Sequence, residues 1–338
     1  MEKKFDIVAI GSACLDIVEE VSDIMQMNII DRKGVEKKYT AIEHSTKLNV
    51  KAVKYLPGGS AANISCDMAL LGFKNVYVGK LGEDNSGDIV FQDFLTRNVN
   101  TDYIIRTREA GTAVSIILMV SGQRDRSILA YKGANDLLTP EDIPEQLFTQ
   151  AKIFVWTSLT TESATNAILK AIDLARKNKM LVVGAPSMSI LMVSPDKAKK
   201  IIAKTDILSF NDEELETLVG SEGTLYQQIE RVHKMGVKLV SVTLGSKGSI
   251  LSDGKKIVET GVFKIEVADT TGAGDAFASG VLYGYLKGQD LETTAKIGSC
   301  LGAMEVATWG ARQGLPSSME SLMDFIQKHP ITQTVRKL

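Results

Sequence analysis

Short apolar runs alternate with longer amphipathic segments over most of the chain. Residues 5–11, FDIVAIG, are apolar up to a closing glycine and predict a strand that is buried on both faces. Residues 60–72, SAANISCDMALLG, combine a serine start, helical apolar spacing and a final glycine, and predict a helix. Residues 74–82, KNVYVGKLG, predict the next strand.

The same order returns in the middle of the chain and predicts the fold class. Further strands are predicted at 152–158, 180–186, 206–210 and 237–245, and further helices at 163–178, 195–204, 212–220, 226–236, 274–288, 291–307 and 318–329. This alternation is typical of an α/β protein, in which a mostly parallel central sheet lies between helices on both faces to give three αβα layers.

Two regions interrupt the alternation and predict a smaller β unit. Residues 17–56 contain short alternating pieces, and residues 111–131 contain GTAVSIILMV, the polar turn SGQRDR and SILAY, a pattern typical of a hairpin. Because these pieces do not extend a parallel sheet, we expect them to form a small β lid over the ligand site. The predicted division is a large α/β domain of residues 1–12, 57–102 and 132–338, and a discontinuous lid of residues 13–56 and 103–131.

Composition narrows the class of protein. Of the 338 residues, 44% are hydrophobic and 24% are charged, with 28 glycines and 7 prolines, which is typical of a globular α/β chain. The formal net charge is −2 and no basic block is present, so neither nucleic acid nor a membrane surface is expected as a partner. A small molecule is the expected ligand.

Cysteine and histidine usage bears on location and metal chemistry. The cysteines Cys14, Cys66 and Cys300 are far apart and form no Cys-x-x-Cys pair, which favours a reducing cytoplasm over secretion. The three histidines are equally scattered, so neither a zinc site nor a histidine-based triad is expected. The first apolar run is too short for a signal peptide or a membrane span, and we expect a cytoplasmic protein.

The segment DTTGAGDAF, residues 269–277, places two glycines and an aspartate at the start of a predicted helix. Backbone N–H groups at a helix start have no partner inside the helix, so Gly272 and Gly274 would allow an anion to approach them closely. Asp275 would repel that anion unless it accepts a proton from a hydroxyl that attacks the anion. The combination indicates phosphoryl transfer, and the alternative is an ordinary glycine loop in which Asp275 caps the first turn.

Three other segments have both a structural and a functional interpretation. VTLGSKG, residues 242–248, lacks the spacing of a P-loop but is a glycine-rich turn at a strand end that would accept a nucleotide. PGGSAAN, residues 57–63, places two glycines before a helix, where a polar ligand would approach closely. In NDEE, residues 211–214, Asn211 and Glu214 have the spacing of a capping pair, with a magnesium or phosphate role as the alternative.

In this order and at these intervals, PGGSAAN, NDEE, VTLGSKG and DTTGAGDAFASG resemble the signature segments of the ribokinase or PfkB family of carbohydrate and nucleoside kinases. The resemblance runs from AIGSACLD to WGARQGLP, which is nearly the whole chain. It implies a ribokinase-like fold with a nucleotide-binding large domain and a β lid. It also implies an ATP-dependent kinase that phosphorylates a hydroxymethyl group, with ATP and Mg²⁺ as cofactors.

The resemblance implies a role for each matching residue. Asp275 would be the catalytic base, and the amides of Gly272, Ala273 and Gly274 would form the anion hole. The implied nucleotide residues are Thr243, Gly245, Gly248 and Asn211, with Asn211 and Glu214 organising Mg²⁺ through water. Hydroxyls of the acceptor would be held by Asp16, Gly59 and Asn63. Asp269, Thr271 and the turn near Gly310 would surround a monovalent cation such as K⁺, although the turn departs from the ribokinase pattern.

The acceptor is expected to be a nucleoside that attacks through its 5′-hydroxyl. Ribokinases usually show Asn and Lys where this chain has Cys14 and Ser60, and the apolar ACL before Asp16 is more similar to the adenosine-kinase branch. Cys14, Leu15 and lid residues such as Ile116 or Leu118 would cover the base, with Asp16 on the ribose hydroxyls.

Other hypotheses remain beside the nucleoside kinase. A sugar or sugar-acid kinase, of the ribose, fructose or 2-keto-3-deoxygluconate type, would use Arg124 and Arg126 on a carboxylate or phosphate. A non-catalytic nucleotide-sensing protein is a hypothesis from another class, against which the intact Asp275 argues. A dinucleotide oxidoreductase is set aside because no Gly-x-Gly-x-x-Gly follows the first strand. Exposed edges of TAVSIILMV would permit a homodimer through the lid.

Overall fold

A computed structural model of the chain describes residues 3–21, 24–30, 36–120, 126–316 and 318–338. The strands are β1 Ile7–Ile10, β2 Cys14–Val21, β3 Met25–Ile30, β4 Glu36–Ala41, β5 Val50–Gly58, β6 Asn75–Gly82, β7 Ile104–Thr107, β8 Val114–Val120, β9 Arg126–Tyr131, β10 Ile153–Thr157, β11 Leu181–Ala185, β12 Ile207–Asn211, β13 Leu239–Thr243, β14 Ser249–Ser252, β15 Lys256–Thr260 and β16 Gln333–Lys337. The helices are α1 Ser60–Leu70, α2 Asn85–Thr96, α3 Glu145–Thr149, α4 Glu162–Lys177, α5 Met188–Val193, α6 Pro195–Ile202, α7 Asp212–Val219, α8 Leu225–Lys234, α9 Ala273–Leu286, α10 Leu291–Val306 and α11 Met319–Lys328.

The central sheet has the order β16-β15-β14-β13-β12-β11-β10-β1-β6-β7. Strands β13 through β7 in this order are parallel to one another, as the alternation of strands and helices predicts. The edge strands β14, β15 and β16 are antiparallel and are absent from the sequence prediction. β14 and β15 are short and follow tight turns, and β16 is formed by the last residues of the chain. None of them has the strand–helix alternation on which the sequence prediction relies.

Side chains from the two faces of the sheet enter two separate cores, which gives the three predicted layers. Val8 and Ile10 of β1 pack into one core and Ile7 and Ala9 into the other, because successive side chains of a strand point to opposite faces. The predicted three-layer α/β class is confirmed.

A small sheet covers one end of the central sheet and has the order β5-β2-β8-β9. The predicted hairpin is confirmed for its strands, since β8 and β9 pair antiparallel, while its turn at 121–125 lies outside the described residues. β8 also pairs in parallel with β2, so neither of its edges is free, contrary to the expectation for TAVSIILMV. β3 and β4 form a separate hairpin.

One predicted domain boundary differs from the structure. The prediction places residues 103–131 with the small sheet, but β7 pairs in parallel with β6 along Gly79–Gly82 and so belongs to the central sheet. The small-sheet part of this segment begins at β8.

Close contact between two helices holds the middle of α9 against α10. A Cβ added to Gly280 of α9 would lie 2.7 Å from the Cα of Gly298 in α10, so the absence of a side chain allows the two helices to touch.

Among the described residues, none of the helices combines the length and the apolar character that a membrane span requires.

Candidate active site

A cavity of about 260 Å³ lies between the small sheet and the carboxyl ends of β1, β10 and β11. Its lining includes all five predicted acceptor residues, Asp16, Gly59, Asn63, Cys14 and Ser60, together with Thr271, Gly272 and Asp275 at the start of α9. In open α/β sheets, ligands bind at the carboxyl ends of the strands, so the position of the cavity is that of a ligand site.

Asp275 lies in the first turn of α9 and faces this cavity. Asn63 Nδ2 of α1 donates a hydrogen bond of 2.7 Å to Asp275 Oδ2, and Ser60 donates a second hydrogen bond to the carboxylate. Burial raises the pKa of Asp275 above its ordinary value, while these hydrogen bonds and the charge of Arg312 oppose the rise. A carboxylate with a raised pKa is a stronger proton acceptor than an exposed one.

The backbone before Asp275 has the glycine conformation and the open space that the sequence predicts. Gly272 has a left-handed backbone with φ of 78°, and a Cβ there would lie 2.6 Å from Ala311 Cβ. Gly274 is exposed, and a Cβ there would stand in open space. Of the three amides predicted to bind an anion, that of Ala273 donates weakly to Thr270 O at 3.5 Å.

Asp16 lines the cavity from β2. Its carboxylate accepts hydrogen bonds from the Cys14 thiol, at 3.3 Å from Sγ, and from Ser115 of β8. Burial raises the pKa of Asp16, and burial together with the nearby carboxylate raises the pKa of Cys14 well above its ordinary value, so the thiol stays protonated. Cys14 is thus a weak donor that orients Asp16 rather than a nucleophile.

The predicted nucleotide residues lie outside the cavity lining, at the ends of neighbouring strands. Asn211 ends β12 and is paired in register with Thr243, which ends β13. Gly245 and Gly248 in the following turn have φ of 56° and 103°, and a Cβ at Gly248 would lie 2.1 Å from Thr260 O. The backbone at Gly248 therefore excludes any other residue, while that at Gly245 favours glycine and leaves open space beside it.

Asn211 and Glu214 form a capping box at the start of α7. Asn211 Oδ1 accepts from Glu214 N at 2.8 Å, and Glu214 Oε2 accepts from Asn211 N at 2.9 Å. Glu214 Oε1 accepts from Met188 N at 3.2 Å, and burial raises the pKa of this carboxyl. The capping interpretation is thus observed in the structure.

Similarity to known proteins covers nearly the whole chain. The sequence profile of the pfkB family of carbohydrate kinases matches residues 6–318. An uncharacterized sugar kinase of Archaeoglobus fulgidus is 33% identical over 260 residues, which cover 75% of this chain and 99% of that protein. The chain belongs to the PfkB family. It is a phosphotransferase that acts on an alcohol group.

Two further relatives differ in the acceptor that their names state. A fructokinase of Solanum tuberosum is 32% identical over 277 residues, which cover 79% of this chain and 85% of that protein. The structure of an adenosine kinase from Sinorhizobium meliloti superposes with a TM-score of 0.77 and 25% identity, covering 96% of this chain and 99% of that chain. The structure of a ribokinase from Arabidopsis thaliana superposes with a TM-score of 0.78 and 24% identity, covering 97% of this chain and 99% of that chain, and confirms the ribokinase-like fold.

The predicted cation residues of this PfkB kinase lie together. Asp269 Oδ1 accepts hydrogen bonds from Thr271 N at 2.9 Å and from Thr271 Oγ1 at 2.8 Å, and Asp269 Oδ2 accepts from Gly310 N at 3.2 Å. Within the described ranges, no cluster of three or more histidine, cysteine or acidic side chains could hold a metal ion.

Some residues predicted to cover the acceptor face elsewhere. Leu15 is buried in the core, and Ser115 and Ile117 line the cavity in place of Ile116 and Leu118. Both differences have one cause, since a strand points alternate side chains to opposite faces. Arg124 lies outside the described residues, as does the side chain of Arg126.

Arg312 is a buried residue of the site that sequence analysis missed. Its side chain is nearly inaccessible, and its Nε donates to Asn63 Oδ1 at 2.8 Å while Nη2 donates to Gly58 O at 2.8 Å. Nη1 pairs with Asp93 of α2. The only sequence signal for it is a charged residue in the glycine-rich, otherwise uncharged segment WGARQG.

Two further buried acids lie behind Asp275. Asp67 of α1 accepts a hydrogen bond from Ser279 Oγ at 2.9 Å, and burial raises its pKa well above the ordinary value. Glu305 of α10 is fully buried, and burial raises its pKa to about 7. The amides of Gln313 and Gly314 approach its carboxyl without meeting hydrogen-bond geometry.

Replacing Glu305 should stabilise the protein in a pH-dependent manner. The folded state keeps a proton that the unfolded chain releases between the ordinary pKa of 4.5 and about 7, so Glu305 costs increasing stability as the pH rises through this window. Glu305→Gln should raise the free energy of unfolding at pH 8 by roughly 1–3 kcal/mol and much less at pH 5. Urea denaturation at both pH values measures this.

The control for this experiment is Glu320→Gln on the exposed surface of α11, which should change stability little at either pH. Equal gains at pH 5 and pH 8 for Glu305→Gln would contradict a titrating origin.

Proposed function

We propose that this PfkB protein is an ATP-dependent kinase that phosphorylates a hydroxymethyl group of a small acceptor, with Asp275 as the general base. The observation that carries the proposal is the position of Asp275. Its carboxylate is at the start of α9, where it borders both the acceptor cavity and the backbone of residues 272–274. A base beside an anion-binding helix start is what phosphoryl transfer to an alcohol requires.

In this reaction the acceptor hydroxyl would give its proton to Asp275 as its oxygen bonds to the γ-phosphorus of ATP. The bond between the γ-phosphorus and the β,γ-bridging oxygen would break, and ADP would leave. The amides of Gly272, Ala273 and Gly274, aided by the α9 dipole, would stabilise the charge on the transferred group. Gly274 supports this role because its bare backbone faces open space.

The residues at the ends of β12 and β13 fit a nucleotide with its metal. Thr243, Gly245, Gly248 and Asn211 would line the ATP site, and the turn at Gly245 is open where a Cβ would stand. Both oxygens of Glu214 already accept backbone N–H groups, so Glu214 and Asn211 would bind Mg²⁺ through water. Mg²⁺ usually keeps several of its waters, and it would neutralise phosphate charge during transfer.

We also propose a monovalent cation, K⁺, beside Asp269, Thr271 and the turn at Gly310, which the hydrogen bonds of Asp269 bring together. A comparison of turnover in potassium chloride with turnover in tetramethylammonium chloride tests this.

The free thiols Cys14, Cys66 and Cys300 support a cytoplasmic location.

The small sheet would act as the lid of this site. Cys14, Asp16, Ser115 and Ile117 line the cavity from the small sheet, opposite Asp275. A sheet that forms one wall of the cavity would exclude water from the transferred group when it closes.

For the acceptor we propose a nucleoside, phosphorylated on its 5′-hydroxyl. The cavity wall contains Ile117, Ile128 and the ring of Tyr131, which offer an apolar surface to a base, with Asp16 available to ribose hydroxyls. A sugar or sugar acid is the second candidate, because Lys132 and the hydroxyls of Ser187 and Ser189 also line the cavity. The cavity of about 260 Å³ lies just below the usual range of about 300–1,000 Å³ for ligand pockets, which favours a small acceptor over a large one.

Asp275→Asn should lower kcat by about 10²- to 10⁴-fold, because asparagine cannot accept the proton, while ATP still binds in a calorimetric titration. The matched control is Asp290→Asn, which alters an aspartate at the start of α10 that caps Thr293 N, and asparagine caps equally well. Near-normal turnover of Asp275→Asn would remove the residue from the role of base.

A panel of nucleosides and free sugars, assayed with ATP and Mg²⁺, should show the highest kcat/KM for a nucleoside. A sugar or sugar acid that reacts faster would replace the nucleoside as the acceptor while leaving the kinase chemistry intact. Tyr131→Ala should then lower kcat/KM for the nucleoside more than for any sugar, since a planar aromatic base would stack on the ring more extensively than a sugar does.

We further propose a homodimer through the small sheet and the β3–β4 hairpin. Large apolar side chains are exposed there, at Met25, Ile29, Ile30, Tyr39, Tyr55 and Leu129. Light scattering should give twice the chain mass of 36.7 kDa, and Ile29→Asp should give the monomer mass. A monomeric wild-type protein at assay and higher concentrations would remove this proposal.

A further inference from the structure

We propose that Arg312 is a positioning residue for the reaction, which fixes the amide of Asn63 so that its NH₂ group, and not its carbonyl oxygen, faces Asp275. The inference rests on the proposed role of Asp275 and adds a residue far away in sequence.

The donors and acceptors determine the amide orientation. An arginine side chain donates hydrogen bonds and accepts none, so the Asn63 atom that lies 2.8 Å from Arg312 Nε has to be the carbonyl oxygen, Oδ1. The Nδ2 atom then points to the other side, where it donates to Asp275 Oδ2 at 2.7 Å. A flipped amide would place two donors together at Arg312 and two acceptors together at Asp275.

Arg312 itself is held from several directions. Nη2 donates to Gly58 O at 2.8 Å, and Nη1 pairs with one oxygen of Asp93. The other oxygen of Asp93 accepts from Arg97 Nε at 2.9 Å, and Arg97 Nη1 donates to the carbonyl of Arg312 at 2.9 Å. The Arg312 side chain is 2% exposed, so its guanidinium is a buried charge with little freedom to reorient.

The charges around Asp275 make its pKa sensitive to Arg312 and to the hydrogen bond from Asn63. Charged groups that interact with Asp275 include Asp16 of β2, Asp67 of α1, Glu214 of α7, Glu305 of α10 and Arg312 after α10. Four of these five groups are acids and Arg312 is the cation, while Lys132 after β9 lines the same cavity. Loss of Arg312 would remove the positive charge and release the Asn63 amide, and both changes favour the protonated form of Asp275.

The test is the pH dependence of kcat/KM for Arg312→Met, measured from pH 5 to pH 9 with the best acceptor. A base acts only when ionised, so a rise in its pKa moves the acid limb of the profile to higher pH. We expect the limb to move up by about one pH unit and the plateau to fall by roughly 10-fold, with the KM for ATP unchanged.

Arg97→Met is the matched control, because it removes contacts to Asp93 and to the Arg312 carbonyl but none to Asn63. It should lower thermal stability and leave the acid limb in the wild-type position. If Arg312→Met does not fold, Arg312→Lys takes its place. Lysine keeps the charge for Asp93 but cannot reach Asn63, Gly58 and Asp93 together, so the limb should still move up.

The outcomes separate the two proposals. An acid limb that stays in place in folded Arg312→Met or Arg312→Lys, or that moves equally in Arg97→Met, overturns the positioning role while the kinase proposal stands. If Asp275→Asn keeps wild-type turnover and the wild-type acid limb, the proposed base is wrong, and the role of Arg312 falls with it.

Discussion

The left-handed backbone of Gly272, packed against Ala311, is the constraint on which the candidate site depends. It sets where α9 begins, and therefore where the unpaired amides and Asp275 point. Gly280 and Gly298 fix the rest of the helix against α10 at backbone contact distance. Because no side chain separates these surfaces, α9 cannot shift without breaking contacts along its whole length. The site is positioned by close packing rather than by long flexible loops.

Charge is unbalanced around this helix start. Asp16, Asp67, Asp275 and Glu305 are buried or partly buried acids near one buried guanidinium, that of Arg312. Burial raises the pKa of each acid, which reduces the stability of the folded chain at neutral pH. Sites that transfer protons or phosphoryl groups often carry such a cost, since the same burial that destabilises a carboxylate makes it a better base.

The sequence predicts the central sheet and most of the candidate site because the signals for both lie within short segments of the chain. Apolar runs that end at a glycine indicate the parallel strands. Each glycine-rich segment combines an open backbone with a polar side chain suited to a ligand. The sequence prediction fails where two faces of a strand are equally apolar, and where a contact joins residues far apart in the chain. In β8 every position from Ile116 to Leu118 is apolar, so the sequence cannot tell which face meets the cavity. Arg312 meets Asn63 across 249 residues, and its partners become visible only in the folded chain.

The turn that contains Arg312 also touches the small sheet. Lys54 of β5 places its ammonium 3.7 Å from the centre of the Trp309 ring, and Leu56 of β5 lies against Gly310. Trp156, by contrast, is fully buried in the core, whereas Trp309 is 37% exposed. Trp309 is therefore an intrinsic fluorophore whose emission depends on whether the Lys54 ammonium lies over its indole ring. Ligand-driven movement of β5 would be readable by fluorescence without attaching any label.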